Sequence, residues 1–274
     1  MKPAKFDYLR AATRDEALEA LAQYGGDARV IAGGQSLLPM LNMRLARPSL
    51  LVDVMRVTEW QRAEITGNAL RIGAGIRQAG LQSRADLLAR VPLLAMALPW
   101  LGHAQTRSRG TLCGSVAHAD PSAEVPLVLT TLGGMVHLRS QRRARDVQAA
   151  QFFTGMMATA RQDDELIEAI SLPLATPGAG FAFREVARRH GDFAIVGVAA
   201  MAVTGRVRLG VAGVADHPQV LEIADDPKLW EDALEQFVWS LEARDDLHAS
   251  ARYRRDLVRQ LGRAVLEEAC ACRS

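Results

Sequence analysis

The period of the apolar positions changes several times along the chain, and each change marks an element. Thr13 and Glu16 stand three residues apart. At that spacing hydroxyl and carboxylate each satisfy a free N–H in a helix's first turn. Ala17, Leu18, Leu21 and Ala22 then share one helical face, and Gly25-Gly26 stops it. The apolar run 28–32 predicts a strand, Gly33-Gly34 a turn, the next residues a second helical piece, and 50–54 a buried strand.

From about 64 to 173 short strands (70–74, 135–139, 166–172) mix with helices (91–98 and 123–132, the second entered after Pro121). The breaker-rich stretch 173–180 predicts a linker. Beyond it, 181–186, 194–203 and 207–214 suit three strands of one antiparallel sheet, with Gly205 in the last turn. Helices are expected at 228–241 and 250–268, the second with Leu257, Leu261, Val265 and Leu266 on its apolar side. The pattern is α+β in two parts.

Composition narrows the class. With 274 residues, 49% hydrophobic and 23% charged, the chain has the make-up of a globular protein able to bury a core. Its longest apolar run, 91–101, contains two prolines and falls short of the roughly 20 residues a membrane span needs. The opening residues show no apolar export segment, so a cytoplasmic protein is expected. Thirty-three basic against 31 acidic side chains argues against a dedicated nucleic-acid binder. The group Arg139, Arg142, Arg143 and Arg145 reads as a solvated hairpin. Only Cys113, Cys270 and Cys272 occur, so this chain alone cannot hold a four-cysteine iron–sulfur cluster. His103, His118 and His137 are scattered without metal-ligand spacing, so no metal site is expected.

Three stretches carry candidate chemistry. Ala32-Gly33-Gly34-Gln35-Ser36 ends a strand and opens a helix, where glycine lets backbone amides approach an anion. The segment 110–124 offers Gly110, Thr111, Gly114 and Ser115 to phosphate and Glu124 to a sugar or polyol hydroxyl, after Arg107 and Arg109. Two such loops suggest a diphosphate gripped from both sides; plain turns and caps fit the same residues equally well. Neither loop, nor Gly73-Ala-Gly75-Ile-Arg-Gln78, matches the GxGxxG dinucleotide fingerprint. The third stretch, 184–194, reads as an ordinary turn before a core strand, or alternatively as Phe193 presented to a flat ligand beside Arg184.

These stretches make the chain similar to the FAD-binding medium subunits of molybdenum-containing hydroxylases. That group includes aerobic carbon monoxide dehydrogenase and the flavin domain of xanthine dehydrogenase. The resemblance runs from Phe6-Asp-Tyr through AGGQSLLPML (32–41), RGTLCGSVAHADPSAEVP (109–126), FFTG (152–155) and REVARRHGDFAIVG (184–197) to SARYRRDL (250–257). It implies a vanillyl-alcohol-oxidase/p-cresol-methylhydroxylase-type FAD-binding domain over 1–175, with subdomains of about 1–56 and 57–175. A C-terminal antiparallel sheet with helices would occupy 176–274.

Carried over by motif, Val30, Ile31, Ala32, Gly33, Gly34, Gln35, Ser36 and Leu37 hold the FAD diphosphate together with Thr111, Leu112, Cys113, Gly114 and Ser115. Glu124 binds a cofactor hydroxyl, Ile167 touches the cofactor through its backbone, and Leu101 is a looser match. Arg184 lies near the cofactor and Phe193 shields one face of its ring. One departure stands out: the family commonly has Gly-Gly where this chain has Cys113-Gly114. A Cβ there costs on the order of 1 kcal/mol if the backbone needs positive φ.

The resemblance further implies a heterotrimer, or a dimer of heterotrimers. A large subunit would carry molybdopterin, a small one two [2Fe-2S] clusters, and this chain would pass their electrons from FAD to an external acceptor, with no catalytic acid or base of its own. Two other readings fit the same residues: a free-standing FAD oxidoreductase, and a structural subunit that has lost its flavin.

Overall fold

The computed structural model describes residues 2–273. Its N-terminal part is a three-stranded parallel sheet, with Leu50–Asp53 between Asp7–Arg10 and Ala28–Ile31. Every residue of the central strand is buried, which explains its unbroken apolar run. The helix Arg14–Tyr24 lays Ala17, Leu18 and Leu21 into this core. Its capping box closes as expected: Thr13 Oγ1 accepts from the Glu16 N–H at 3.2 Å, and Glu16 Oε2 from the Ala12 N–H at 2.8 Å. Asp7–Arg10 is an edge strand of mostly exposed residues, so apolar patterning does not reveal it.

The middle part is a five-stranded antiparallel sheet in the order Ala63–Thr66, Ala69–Gly73, Leu166–Pro173, Met135–Arg139, Ala144–Gln148. Short helices, notably Leu112–His118 and Glu124–Thr131, pack on it. The arginine hairpin is a correction to the sequence reading. Arg145 grips the buried Glu165 through two bonds of 2.7 Å and Arg143 lies 3.3 Å from it, so these two guanidiniums neutralise an interior carboxylate rather than simply facing water.

After a short connection, the C-terminal part forms one antiparallel sheet of four strands, Gly180–Val186, Val196–Val203, Arg206–Ala212 and Gln219–Ala224. The fourth strand is a further correction: it lies at the edge with no fully buried residue and lacks an apolar signature. The sheet is covered on both sides. Phe181, Phe183, Ala199 and Met201 face the core of the first two parts. Ala182, Val198, Ala200 and Leu209 face the helices Pro227–Ser240 and Ala251–Ala271. Double coverage is why the run Val196–Val203 is apolar at every position instead of at every second one.

One buried cation fixes the far end of this sheet. Arg254, only 5% exposed, donates to the carbonyls of Ile195 at 2.6 Å and Gly213 at 2.5 Å and pairs with Asp246. The Gly213 N–H in turn donates to Pro121 O at 2.8 Å, tying the middle part to the same spot. Removing the guanidinium strands the two carbonyls and takes the ion-pair partner from Asp246. Arg254→Met should therefore lower stability by about 2–4 kcal/mol in urea unfolding, where a midpoint equal to that of the parent would refute the assigned role.

Candidate functional site

Gly33 is where the site begins. A Cβ built on it would lie 2.3 Å from the carbonyl oxygen of Arg109 and 2.6 Å from Cα of Gly110. Backbone thus rests on backbone, and the two glycine loops, 76 positions apart in sequence, lie side by side. Gly34 follows at φ +72°, a left-handed turn that only glycine adopts without cost. This turn leaves the N–H groups of residues 33–37 without a protein acceptor among the described residues; the first to find one is Leu38, which donates to Gly34 O at 3.0 Å. Gln35 folds its own amide onto Gly33 O at 3.0 Å, and Ser36 opens the helix Leu37–Asn42 without capping it.

The second loop turns directly into a helix, where the sequence suggested only a loop. Thr111, 2% exposed, caps Leu112–His118 by accepting the Gly114 N–H at 3.0 Å. The amide of Cys113, ahead of it in the first turn, has no protein acceptor among the described residues, whereas Leu112 is turned to the strand-end segment by the Arg77–Thr111 bridge. Free amides, a row on the first loop and that of Cys113 on the second, therefore flank one backbone contact, an arrangement suited to an anion. Ser115 is half-buried one turn along, and Arg109 stands exposed beside the contact.

Arg107 serves differently from expectation. Its guanidinium is spent on the carbonyls of Pro99, Leu101 and Gly102, at 2.8–3.3 Å, and on Gln82. It shapes the connecting loop. The strand-end segment rejected as a dinucleotide fingerprint also has a structural part: the Gln78 N–H donates to Gly110 O at 2.8 Å, and Arg77 bridges to Thr111.

A chain of close approaches carries the site to the C-terminal sheet. The Thr106 side chain lies against Gly102, and the Thr106 carbonyl against Gly110. Gly191, at φ +87°, has room for no Cβ because His103 would be 2.7 Å from it. The turn of the third stretch is thereby held on the 102–103 loop, and the Trp100 ring meets His190 at 5.0 Å between centroids. On this anchored turn Phe193 stands 68% exposed.

Other expected positions fall into place or out of it. Val30 and Ile31 lie in the strand leading to the first loop, and Ala32 and Leu37 border that loop. Leu101 and Ile167 are buried in the core, Ile167 at a register shift in its strand. Arg184 does not join the group. Side chains alternate across a sheet, and position 184 falls on the face turned to the C-terminal helix, where both Nε and Nη2 bond Glu268 at 3.1 and 2.9 Å. Its neighbour Glu185, unremarked in the sequence, takes the face toward Glu124.

Two carboxyls in this region are displaced from ordinary behaviour. Burial pushes Glu124 up to about 7, with Asp120 adding to it. Burial and the nearby Glu124 push Glu185 up to about 8.

Cys113 costs the backbone nothing. It sits inside the helix and is absent from the described positive-φ residues, which are Arg44, Ala119 and Met157 outside glycine. Its buried thiol leans on Ile72 O at 3.6 Å, and burial pushes it up to about 12. The reactive species is the thiolate. Under native conditions near pH 8, a thiol reagent should modify Cys272 and spare Cys113 until denaturant is added; rapid native labelling of Cys113 would contradict this placement.

Comparison with known proteins identifies the family. The family described as the FAD binding domain in molybdopterin dehydrogenase matches residues 4–175, more than half the chain. The nicotine 6-hydroxylase medium subunit of Paenarthrobacter nicotinovorans is 36% identical, with 99% of each chain covered. The caffeine dehydrogenase subunit beta of a Pseudomonas species is 35% identical over 92% of this chain and 84% of its own. Among solved structures, carbon monoxide dehydrogenase from Hydrogenophaga pseudoflava superposes with a TM-score of 0.94 at 30% identity over the whole of both chains. The family match over residues 4–175, with relatives 35–36% identical and a solved structure superposing over the whole chain, places this chain among the FAD-carrying medium subunits of the molybdenum hydroxylases.

Proposed function

We propose that the groove between residues 32–37 and 111–115 receives the diphosphate of FAD, and that this chain works as the electron outlet of a three-subunit enzyme. The observation that carries the reading is the Gly33 contact with Arg109 and Gly110, flanked by amides that have no protein partner. A diphosphate supplies the acceptors those amides lack, and the exposed Arg77 and Arg109 add positive charge nearby. Glu124 offers its carboxyl to a hydroxyl of the cofactor, and Phe193, held by the Gly191 turn, covers a face of the flavin ring. The backbone at Ile167 completes the wall. We place the flavin-binding part at 1–175, with subdomains of about 1–56 and 57–175, and the C-terminal part at 176–274.

Bound FAD supplies the capacity to take up electrons singly and release them singly or in pairs. The chain's own contribution is to hold the ring, keep one face open to an acceptor and set its electrostatic surroundings. The partners we propose are a small subunit with two [2Fe-2S] clusters and a large molybdopterin subunit, joined as a heterotrimer or a pair of heterotrimers in the cytoplasm. Among the described residues no group of metal ligands occurs and no helix is long and apolar enough to cross a membrane. The relatives act on nicotine, caffeine and carbon monoxide. That spread fits a medium subunit whose chemistry is common to all, with the substrate recognised elsewhere. The external acceptor is NAD⁺, a quinone or oxygen.

The test is the visible spectrum of the purified chain after incubation with FAD and desalting, repeated on the complex co-expressed with both partners. Flavin bands in either preparation are expected; none in both would overturn the assignment. Gly33→Val should cut flavin retention at least about tenfold, in line with the roughly 1–3 kcal/mol of overpacking, because its Cβ would meet Arg109 O at 2.3 Å. Phe193→Ala removes an exposed ring and should leave thermal unfolding unchanged. It should brighten the bound flavin's fluorescence and weaken FAD binding by about two- to tenfold, from an aromatic contact of roughly 0.5–1.5 kcal/mol.

A further inference from the structure

Glu185 is 9% exposed, and neither of its carboxyl oxygens has a hydrogen-bond partner among the described residues. Interior carboxyls without a partner are rare and call for one. Its position follows from the sheet. Glu185 is paired with Gly197, and a Cβ on Gly197 would sit 3.3 Å from Cδ2 of Leu127. Both residues thus look onto the helix Glu124–Thr131, and Glu124 opens that helix.

The cation on this face of the sheet, Arg208, is paired with Met201 and reaches Thr130 O at the far end of the helix, away from the two carboxyls. The strand Val196–Val203 and the helix Pro92–Ala97, which also pack on the Glu185 strand, carry no ionisable side chain. The helix Glu124–Thr131 supplies only Glu124, with Asp120 just before it. Arg184 is on the opposite face with Glu268, and Arg188, Arg189 and His190 are exposed in the turn beyond the strand. Two carboxyls close enough to feel each other, without a cation beside them and without a bond between them, cannot both be charged near neutrality. One of them is a neutral acid, able to donate.

Resting on the FAD reading above, we infer that Glu185 is a second cofactor-binding carboxyl, which together with Glu124 receives a hydroxyl group of the cofactor. Glu185 donates as the neutral acid and Glu124 accepts as the carboxylate. The pair therefore requires one proton to bind well. Raising the pH removes that proton and sets two negative charges against each other and against the cofactor's diphosphate. Linkage gives the sign: a site that must hold one proton loses up to tenfold in affinity per pH unit above its titration range.

The experiment is an FAD titration followed by flavin fluorescence, on the full chain or on the complex if flavin is retained only there. It compares the parent, Glu185→Gln and Glu185→Leu at pH 7 and pH 9. The parent should weaken about tenfold between these values. Glu185→Gln, neutral at every pH and still a donor, should bind within about threefold of the parent at pH 7 and change less than about twofold by pH 9. Glu185→Leu should bind at least about tenfold more weakly at pH 7. A second readout needs no cofactor. The raised carboxyl holds a proton in the folded chain that the unfolded chain loses near pH 4.5, so folding is penalised at high pH. Glu185→Gln should therefore raise the urea midpoint at pH 9 and leave it unchanged at pH 4. Glu185→Leu binding like the parent, or Glu185→Gln keeping the parent's pH slope, would overturn the inference. FAD binding to none of the proteins, even in the complex, would instead overturn the FAD reading beneath it.

Discussion

The candidate site depends on the contact of Gly33 with the backbone of Arg109 and Gly110. Backbones approach this closely only when one partner lacks a Cβ. The contact also decides what the neighbouring amides can do. Residues 33–37 are held in a turn that has finished the strand but has not closed the first helical hydrogen bond, so their N–H groups are free. Thr111 and its helix start are fixed in the same act, because they follow Gly110 directly. An anion site built this way is assembled before any ligand arrives and requires little reorganisation on binding.

Charge is distributed by the same logic. The amides and the exposed Arg77 and Arg109 lie toward the proposed diphosphate, whereas Arg107 is consumed in holding the 99–102 loop. The carboxyls lie on the other side, where the C-terminal sheet meets the helix beginning at Glu124. A ligand whose diphosphate is joined directly to hydroxyl-bearing chains matches that separation of donors from acceptors. The protein's own polar groups are left incomplete where such a ligand would complete them, which is how binding energy becomes specific.

Much of this was legible in the sequence, and for identifiable reasons. The capping box at Thr13 and Glu16 and the buried strand near Leu50 are local signals, fixed by spacing and by complete burial. The strands Asp7–Arg10 and Gln219–Ala224 were not legible, because edge strands with half-exposed faces lose the apolar pattern. The helix Leu112–His118 hid behind its glycine, serine and cysteine, residues that favour turns until a cap and burial override them. The two glycine loops announced themselves, but their contact did not. No spacing rule foretells that Gly33 meets Gly110; that is a property of how the two sheets pack.

The pair Arg184 and Glu185 shows where sequence reasoning reaches its limit. A chain motif ranks an arginine beside an aromatic-bearing turn above an adjacent glutamate, since fixed positive charge suits a nucleotide. A strand admits only one of the two on a given face, and the choice is made by register. Phe181 and Phe183 go inward to the flavin-binding part, so residue 185 must follow them, and 184 must face the C-terminal helix. Because the sheet is buried on both sides, a slip by one residue would drive Glu185 among Val198, Leu209 and Leu266 and leave Glu268 without its arginine. The packing that gives the C-terminal part its stability thus also determines which carboxyl can face the site. In that sense the two core clusters act as one device: the outer helices fix the register of the sheet, and the register delivers Glu185 opposite Glu124.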